Sequence, residues 1–401
     1  MSIVRKAFPF FSRDNNTAFF DSAASTQKPK KVIDKLNEIY SYDYANIHRG
    51  LYDLSAKLTA DFEQVREKVA KFINAKFTHE IVFTKNATEA INLVAHSYGI
   101  PFIHKGDEVL ISTMEHHSNI VPWQQLCKEK NAVLKVIPIT KAGDIKYNEL
   151  EKIVSNKTRM LAITQMSNVF GSIVDIKKTI SMAKKVGAKV LVDACQSTAH
   201  IKVDVQNLDC DFLVFSSHKL YGPAGVGVLY GKVALLDSMD LYQTGGSMIK
   251  EVTFDHTTFL KTPHKFEVGT PAIVEVIAFG VALDYLHSID LPHIWREEKK
   301  LAEYIRGEIG KLGGYEILGS DNSIISILHS HAHHSDIGEV LNQCGVAIRT
   351  GHHCTQPLMS YLGITGTARI SLGIYNNFED ADRLLEALKK VNKIFDITKQ
   401  T

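Results

Sequence analysis

Cysteine is scarce in this chain: five among 401 residues, at positions 127, 195, 210, 344 and 354, with no Cys-x-x-Cys pair. An odd, widely spaced set argues against a disulfide framework and fits a reducing cytoplasm. Long apolar runs are missing too. Each breaks within about eight residues, far short of the roughly 20 that a membrane-spanning helix needs. Charge of one sign is also lacking, since 46 Lys+Arg against 44 Asp+Glu leave a net charge of +2. The longest basic clusters are as short as Lys28-Pro29-Lys30-Lys31, so there is no concentrated basic face for nucleic acid or a membrane surface. Met1 to Asp21 shows neither a charged-then-apolar signal pattern nor an Arg/Ser-rich presequence. Internal repeats and low-complexity segments are absent.

The chain does contain 45% apolar and 22% charged residues, an ordinary globular balance with enough length for a large core and about two or three domains. Short unalternating apolar runs read as strands: Ile81–Thr84, Val109–Ile111, Val133–Ile137, Met160–Thr164, Val190–Val192 and Phe212–Phe215. Helix-length stretches lie between them, at Thr88–Tyr98, Asn119–Lys130 and Ile176–Val186. Such alternation predicts a largely parallel sheet covered on both faces, with ligands beyond the carboxyl ends of its strands. After Thr270-Pro271 the pattern changes to long helices, Ala272–His287 and Trp295–Lys311. A strand (Ile324–Leu328), a helix from about Ser335, the strands Val346–Ile348 and Ala368–Leu372, and a helix over Glu379–Phe395 follow. The expected division is a large domain at 15–284 and a smaller α/β domain built from 1–14 and 285–401.

Candidate chemistry centres on Lys219, in Ser216-Ser217-His218-Lys219-Leu220-Tyr221-Gly222-Pro223-Ala224-Gly225-Val226-Gly227. A strand delivers this amine to a glycine-rich turn beside groups able to bind an anion, where it can form a Schiff base with an aldehyde cofactor. Asp193 closes the strand Val190–Val192, 26 residues upstream across a crossover read as helix-free and a strand. A carboxylate there can cap a helix, bind a metal or keep a pyridine nitrogen protonated. Asn86-Ala87-Thr88-Glu89-Ala90 joins a strand to a helix, with Asn86 able to cap it and the first-turn N–H groups suited to a phosphate. Read alone, this segment is equally a plain cap. In Glu115-His116-His117-Ser118-Asn119 an imidazole can stack on a planar ring or move a proton, or simply sit on the surface.

Together these segments resemble the fold-type I pyridoxal-phosphate enzymes of the class V aminotransferase family. They are most similar to its group II cysteine desulfurases (the SufS/CsdA type). The likeness runs from Phe20-Asp21-Ser22-Ala23-Ala24 and His48-Arg49-Gly50 to Arg369-Ile370-Ser371. It implies a large domain with a mostly parallel seven-stranded sheet and a smaller C-terminal α/β domain. It further implies that Lys219 carries pyridoxal 5'-phosphate, Asp193 pairs with the pyridinium, Gln196 bonds the phenolic oxygen and His116 stacks on the ring. Thr88, Ala87, Ser216 and His218 would hold the phosphate, and Thr270 would reach the phosphate of a partner subunit in a homodimer. Cys195 stands where the family often has alanine, and a packing role is expected for it.

The string Arg349-Thr350-Gly351-His352-His353-Cys354-Thr355-Gln356-Pro357 narrows the reaction. Two histidines and an arginine would favour the thiolate of Cys354. A zinc site needs about four ligands, and no paired Cys/His motif offers them. The string matches the group II motif, and the short segment to Arg369 does as well. The resemblance implies conversion of L-cysteine to L-alanine with the sulfur captured as a persulfide on Cys354. Proton transfer would fall to Lys219 or His116. Arg369 would clamp the substrate carboxylate, supported by Asn168, with Arg349, His48 and Ala24 as further contacts. A SufE- or SufU-type acceptor, or an iron–sulfur cluster scaffold, is implied by family alone. Selenocysteine lyase is the nearest rival, and another class V enzyme such as an aminotransferase a more distant one. His329-Ser330-His331-Ala332-His333-His334 reads as a solvated turn before a Ser335-Asp336 helix cap, not as a metal site.

Overall fold

The computed structural model describes residues 2–12 and 17–395. The expected domain boundary at 14/15 lies outside these residues, and the one at 284/285 falls within the helix Ile273–His287.

A seven-stranded sheet forms the centre, in the order Ile81–Thr84, Gly227–Gly231, Phe212–Ser216, Lys189–Asp193, Thr158–Thr164, Glu108–Ser112 and Val133–Ile137. Only Gly227–Gly231 runs against the others. The missing polar alternation now has its cause. Leu161, Val190, Val192, Leu213 and Phe215 pack into the core on one face, while Met160, Ala162, Leu191, Phe212 and Val214 pack into the core on the other. A strand buried on both faces has no reason to alternate. The helix Ile273–His287, apolar almost all round, is itself buried and packs against Asp53–Phe72.

A second, antiparallel sheet contains Tyr315–Leu318, Ile324–His329, Thr367–Ser371 and Arg349–Gly351 in that order. Its core, around Leu301, Ile305, Ile327, Ile370, Leu384 and Leu388, lies beneath the helices Leu291–Leu312, His334–Gln343 and Phe378–Ile394. Ala18 and Phe20 join this core, and Ala18–Phe19 pairs in parallel with Val346–Ala347.

Four local expectations need correcting. Gly227–Gly231 is a strand, hidden in the sequence by its terminal glycines and the turn before it. The crossover after Asp193 holds two single helical turns, Ser197–His200 and Val205–Leu208, the second capped by Asp204. The run expected as one strand over Val346–Ile348 is divided: Val346–Ala347 pairs with the N-terminal segment, and Arg349–Gly351 with Thr367–Ser371. The cap of the helix His334–Gln343 is His333, whose ring accepts the Ser335 N–H, not Ser335 itself. Among the described residues, no helix is long and apolar enough to cross a membrane, and no group of three or more His, Cys, Asp or Glu could hold a metal.

Candidate active site

Five segments end together at the carboxyl edge of the large sheet and enclose a cavity of about 260 Å³. Lys219, on the single turn Ser217–Lys219 that follows Phe212–Ser216, lines it. Asp193, 4% exposed, closes the neighbouring strand, and its Oδ1 accepts the Cys195 N–H at 2.9 Å. Gln196 is tied to the Ala23 carbonyl at 2.9 Å, and Ala23 and Ala24 form part of the wall. Ser216 Oγ accepts the Ala87 N–H at 2.9 Å, so the strand end is fastened to the start of the helix Ala87–Val94. Asn86 does cap that helix, through the Glu89 N–H at 2.9 Å. The approach requires glycine at 227, where a Cβ would come within 2.3 Å of the Asn86 carbonyl carbon.

His218 is held by its carbonyl, which accepts from the Thr26 N–H at 3.0 Å and from Lys28 Nζ at 3.1 Å. Burial and the adjacent Lys219 push its ring down to about 4. His116 lines the cavity, and burial, then Lys219, pushes it down to about 3. Its Nδ1 accepts the Ser118 N–H at 3.1 Å, so the neutral ring carries its proton on Nε2. The segment before it is anchored by buried Glu115, which accepts from the Thr164 N–H at 3.0 Å and Asn119 Nδ2 at 2.7 Å. Burial raises the Glu115 carboxyl to about 7. Sequence reasoning passed over this residue.

The small-domain sheet supplies the cationic wall. Arg349 and Arg369 are register partners on adjacent strands, and both line the cavity. Like charges opposite one another are unfavourable in a sheet, which marks the pair as serving an anion. Burial and Arg349 push Arg369, 1% exposed, down to about 10. Arg369 Nη1 donates to the Asn168 carbonyl and Nη2 to Asp21 Oδ1, both at 3.1 Å, while its buried Nε has no partner. A buried guanidinium with a donor to spare, at a cavity wall, suits a substrate carboxylate. Asp21, part of the Phe20–Ala24 segment but given no role from sequence, balances this charge. Burial holds its carboxyl above the usual range.

Cys354 is half-buried and is not part of the cavity wall. His353 and Cys354 both have positive φ, 51° and 58°, one residue beyond Gly351 at 105°. Successive left-handed residues with side chains cost about 1–3 kcal/mol each and persist only where surrounding bonds over-determine them. Here Asn168 Nδ2 donates to the His353 carbonyl at 2.9 Å, and His353 Nε2 meets Thr367 Oγ1 at 2.9 Å. Arg349 Nη2 approaches the sulfur at 3.4 Å. The expected help from two histidines takes another form. Burial and Arg369 push His353 down to about 2, and His352 uses Nδ1 to accept the Cys354 N–H at 3.1 Å. Among the described residues, Arg349 is the cation whose side chain bonds the sulfur.

Of the remaining candidates, Thr88 and Asn168 line the cavity. Cys195 also lines it, 8% exposed in the apolar core, and burial raises its thiol well above the usual range. Two candidates stand apart. His48 packs edge-on against Phe62 at 6.0 Å, and Thr270 lines a separate cleft with Lys85 and Glu89.

A pyridine aldehyde bearing a phosphate needs an amine, an anion for its ring nitrogen and donors for its phosphate. Lys219, Asp193 and the group formed by Ser216, His218 and the start of Ala87–Val94 supply them around one cavity.

Sheet, lysine and cavity define a class of enzyme, and sequence comparison agrees: the chain belongs to the aminotransferase class-V family, which matches residues 18–384. Within it, the chain is 43% identical over 397 residues to a cysteine desulfurase of Pectobacterium carotovorum, with 98% of each chain covered. A cysteine desulfurase of Yersinia pseudotuberculosis is 44% identical over the same length and coverage. Among solved structures, the cysteine desulfurase CsdA of Escherichia coli superposes with a TM-score of 0.93 at 37% identity, covering 98% of both chains.

Proposed function

We propose that this protein is a pyridoxal-phosphate-dependent cysteine desulfurase that converts L-cysteine to L-alanine and leaves the sulfur as a persulfide on Cys354. One observation carries the reading. Arg349, within reach of the Cys354 sulfur, also lines the cavity that holds Lys219, Asp193 and the spare donor of Arg369. When bound, pyridoxal phosphate supplies a sink for the electrons released at the substrate Cα. Lys219 anchors the cofactor and moves the Cα proton, while Asp193 keeps the ring nitrogen protonated. Ala87, Thr88, Ser216 and His218 cradle the phosphate, Gln196 bonds the phenolic oxygen, and His116 covers the ring. Arg369 fixes the substrate carboxylate, with Asn168 setting the height of its guanidinium.

Cys354 then attacks the substrate sulfur. A sulfur–sulfur bond forms as the substrate Cβ–S bond breaks, the electron pair goes to the carbon skeleton, and protonation yields alanine. We assign protonation to Lys219 over His116, because the one proton of the neutral ring, on Nε2, is a weakly acidic imidazole N–H. In this reading residues 15–284 carry the cofactor, and residues 1–14 and 285–401 carry the cysteine loop. The active unit is a homodimer in which Thr270 reaches the partner's phosphate. The enzyme works in the cytoplasm, and a SufE- or SufU-type acceptor or a cluster scaffold takes the sulfur. The deciding experiment is incubation with cysteine, assaying alanine and mass added at Cys354. Alanine without persulfide on Cys354 overturns the reading.

A further inference from the structure

We propose that His117 is a positioning residue for the sulfur-accepting thiol: its main-chain N–H and its ring together clasp the Cys354 loop. The proposal rests on the reading of Cys354 given above. The His117 N–H donates to the Cys354 carbonyl at 2.7 Å, and His117 Nε2 accepts the Gln356 N–H at 2.9 Å. His352, whose ring lies 5.6 Å from that of His117, takes the Cys354 N–H on its Nδ1. Two imidazoles and one amide thus account for both main-chain polar groups of the nucleophile and for the first N–H of the helix Gln356–Leu362. The next residue, Pro357, has no N–H, so the clasp closes at the last donor available before the proline.

His117 is well placed for this task. It starts the turn His117–Asn119, and the residue before it, His116, faces the cavity. That short segment therefore touches the cofactor cavity with one histidine and the nucleophile loop with the next. A left-handed cysteine has to be held from outside its own loop. His117 supplies a hold that belongs to the large sheet, so the thiol is registered against the cofactor site and not only against its own strand.

The clasp requires an unprotonated Nε2. The groups around the ring are His116 on its own turn, His352 and Cys354 on the facing loop, Arg349 at the sulfur, and His96 and Glu129 across the adjoining cleft. Burial and His352 hold the His117 ring below the usual histidine range, which keeps it an acceptor near neutral pH.

The test compares holoenzyme carrying H117L, which removes the acceptor, with H117Q, whose side-chain carbonyl can take the place of Nε2. In H117L, amide exchange of Gln356 should accelerate about tenfold and single-turnover persulfide formation on Cys354 should slow about tenfold. The KM for cysteine and the cofactor absorbance should stay within about twofold. H117Q should recover both losses and retain its rate at acid pH where the wild type declines. Unchanged exchange in H117L, or H117Q as impaired as H117L, overturns the clasp. A C354S control separates the two readings. If it still releases alanine from cysteine at the wild-type rate, the Cys354 assignment fails, while the Gln356 exchange still decides whether His117 holds the loop.

Discussion

The cofactor cavity and the cysteine loop are built on opposite terms. In the cavity, chemistry-bearing side chains lie at the ends of buried strands, and some accept main-chain N–H groups, as Ser216 does from Ala87 at a helix start and Asp193 from Cys195 two residues on. In the loop, a half-buried thiol sits in a left-handed conformation held largely by side chains of other segments, namely Asn168, Thr367 and the His117 turn. A group that stays with one cofactor gains from rigidity. A thiol that, as proposed, accepts sulfur from inside and surrenders it outside would be served by a segment of lower local stability.

The largest test of that contrast is Lys219→Ala. It should leave the loop intact, remove any colour fixed by borohydride, and lower all turnover by about 10²–10⁴-fold, as expected for loss of a proton-transferring group. Alanine release from cysteine and alkylation of Cys354 are the two measurements. Only the first should collapse. Cys354→Ser inverts the pattern: cofactor absorbance and its response to cysteine stay, while persulfide formation is lost. Selenocysteine turnover should survive, since selenide leaves without an acceptor thiol. Intact cysteine turnover in this variant would erase the distinction between the two regions.

The two regions also differed in how far they could be read from the chain. Ile81–Thr84 forms a strand with the expected bounds, because its buried run writes itself into adjacent apolar residues, and Val133–Ile137 keeps its expected bounds as an edge strand although Val133 and Val136 are exposed. Lys219 and Asp193 were legible because they lie at the ends of such strands, Gln196 came through the family resemblance, and the cavity gathers all three. The loop is different. Its cysteine lies inside a recognisable string, but what holds it comes from His117 and Asn168, distant in sequence, and no local pattern announces such contacts. Asp21 went unread for the same reason: its role appears only when Arg369 arrives from the other end of the chain. Gly227–Gly231 was missed for a local reason, since glycines that permit close packing look like turn residues.

A smaller effect probes the wall the two regions share. Arg369→Lys keeps the charge but loses the planar fork, and the substrate carboxylate should forfeit about 1.5–3 kcal/mol of charged hydrogen bonding. That corresponds to a rise in KM for cysteine of about 10- to 100-fold, with cofactor absorbance unchanged. A fall in kcat at unchanged KM would mean that Arg369 serves the loop more than the substrate.

The smallest effect is on acid stability, and it separates the regions by sign. His353, on the loop, is buried and pushed down to about 2 by burial and Arg369. Its depressed folded value gives stability that is fully present above the unfolded histidine value, about 6.5, and is lost as pH falls toward 2. The slope is at most about 1.4 kcal/mol per pH unit, because one proton separates the unfolded from the folded state. Glu115, beneath the cavity, has the opposite sign: burial raises it to about 7, so its contribution is present below the unfolded glutamate value and lost as pH rises through 7. Urea midpoints measured at pH 7, 6 and 5 should therefore fall more gently in His353→Asn than in the wild type. In Glu115→Gln they should fall more steeply, because the carboxyl that gains stability on acidification is gone. If both variants track the wild type, these two buried groups do not set the acid response, and the regions are alike in this respect.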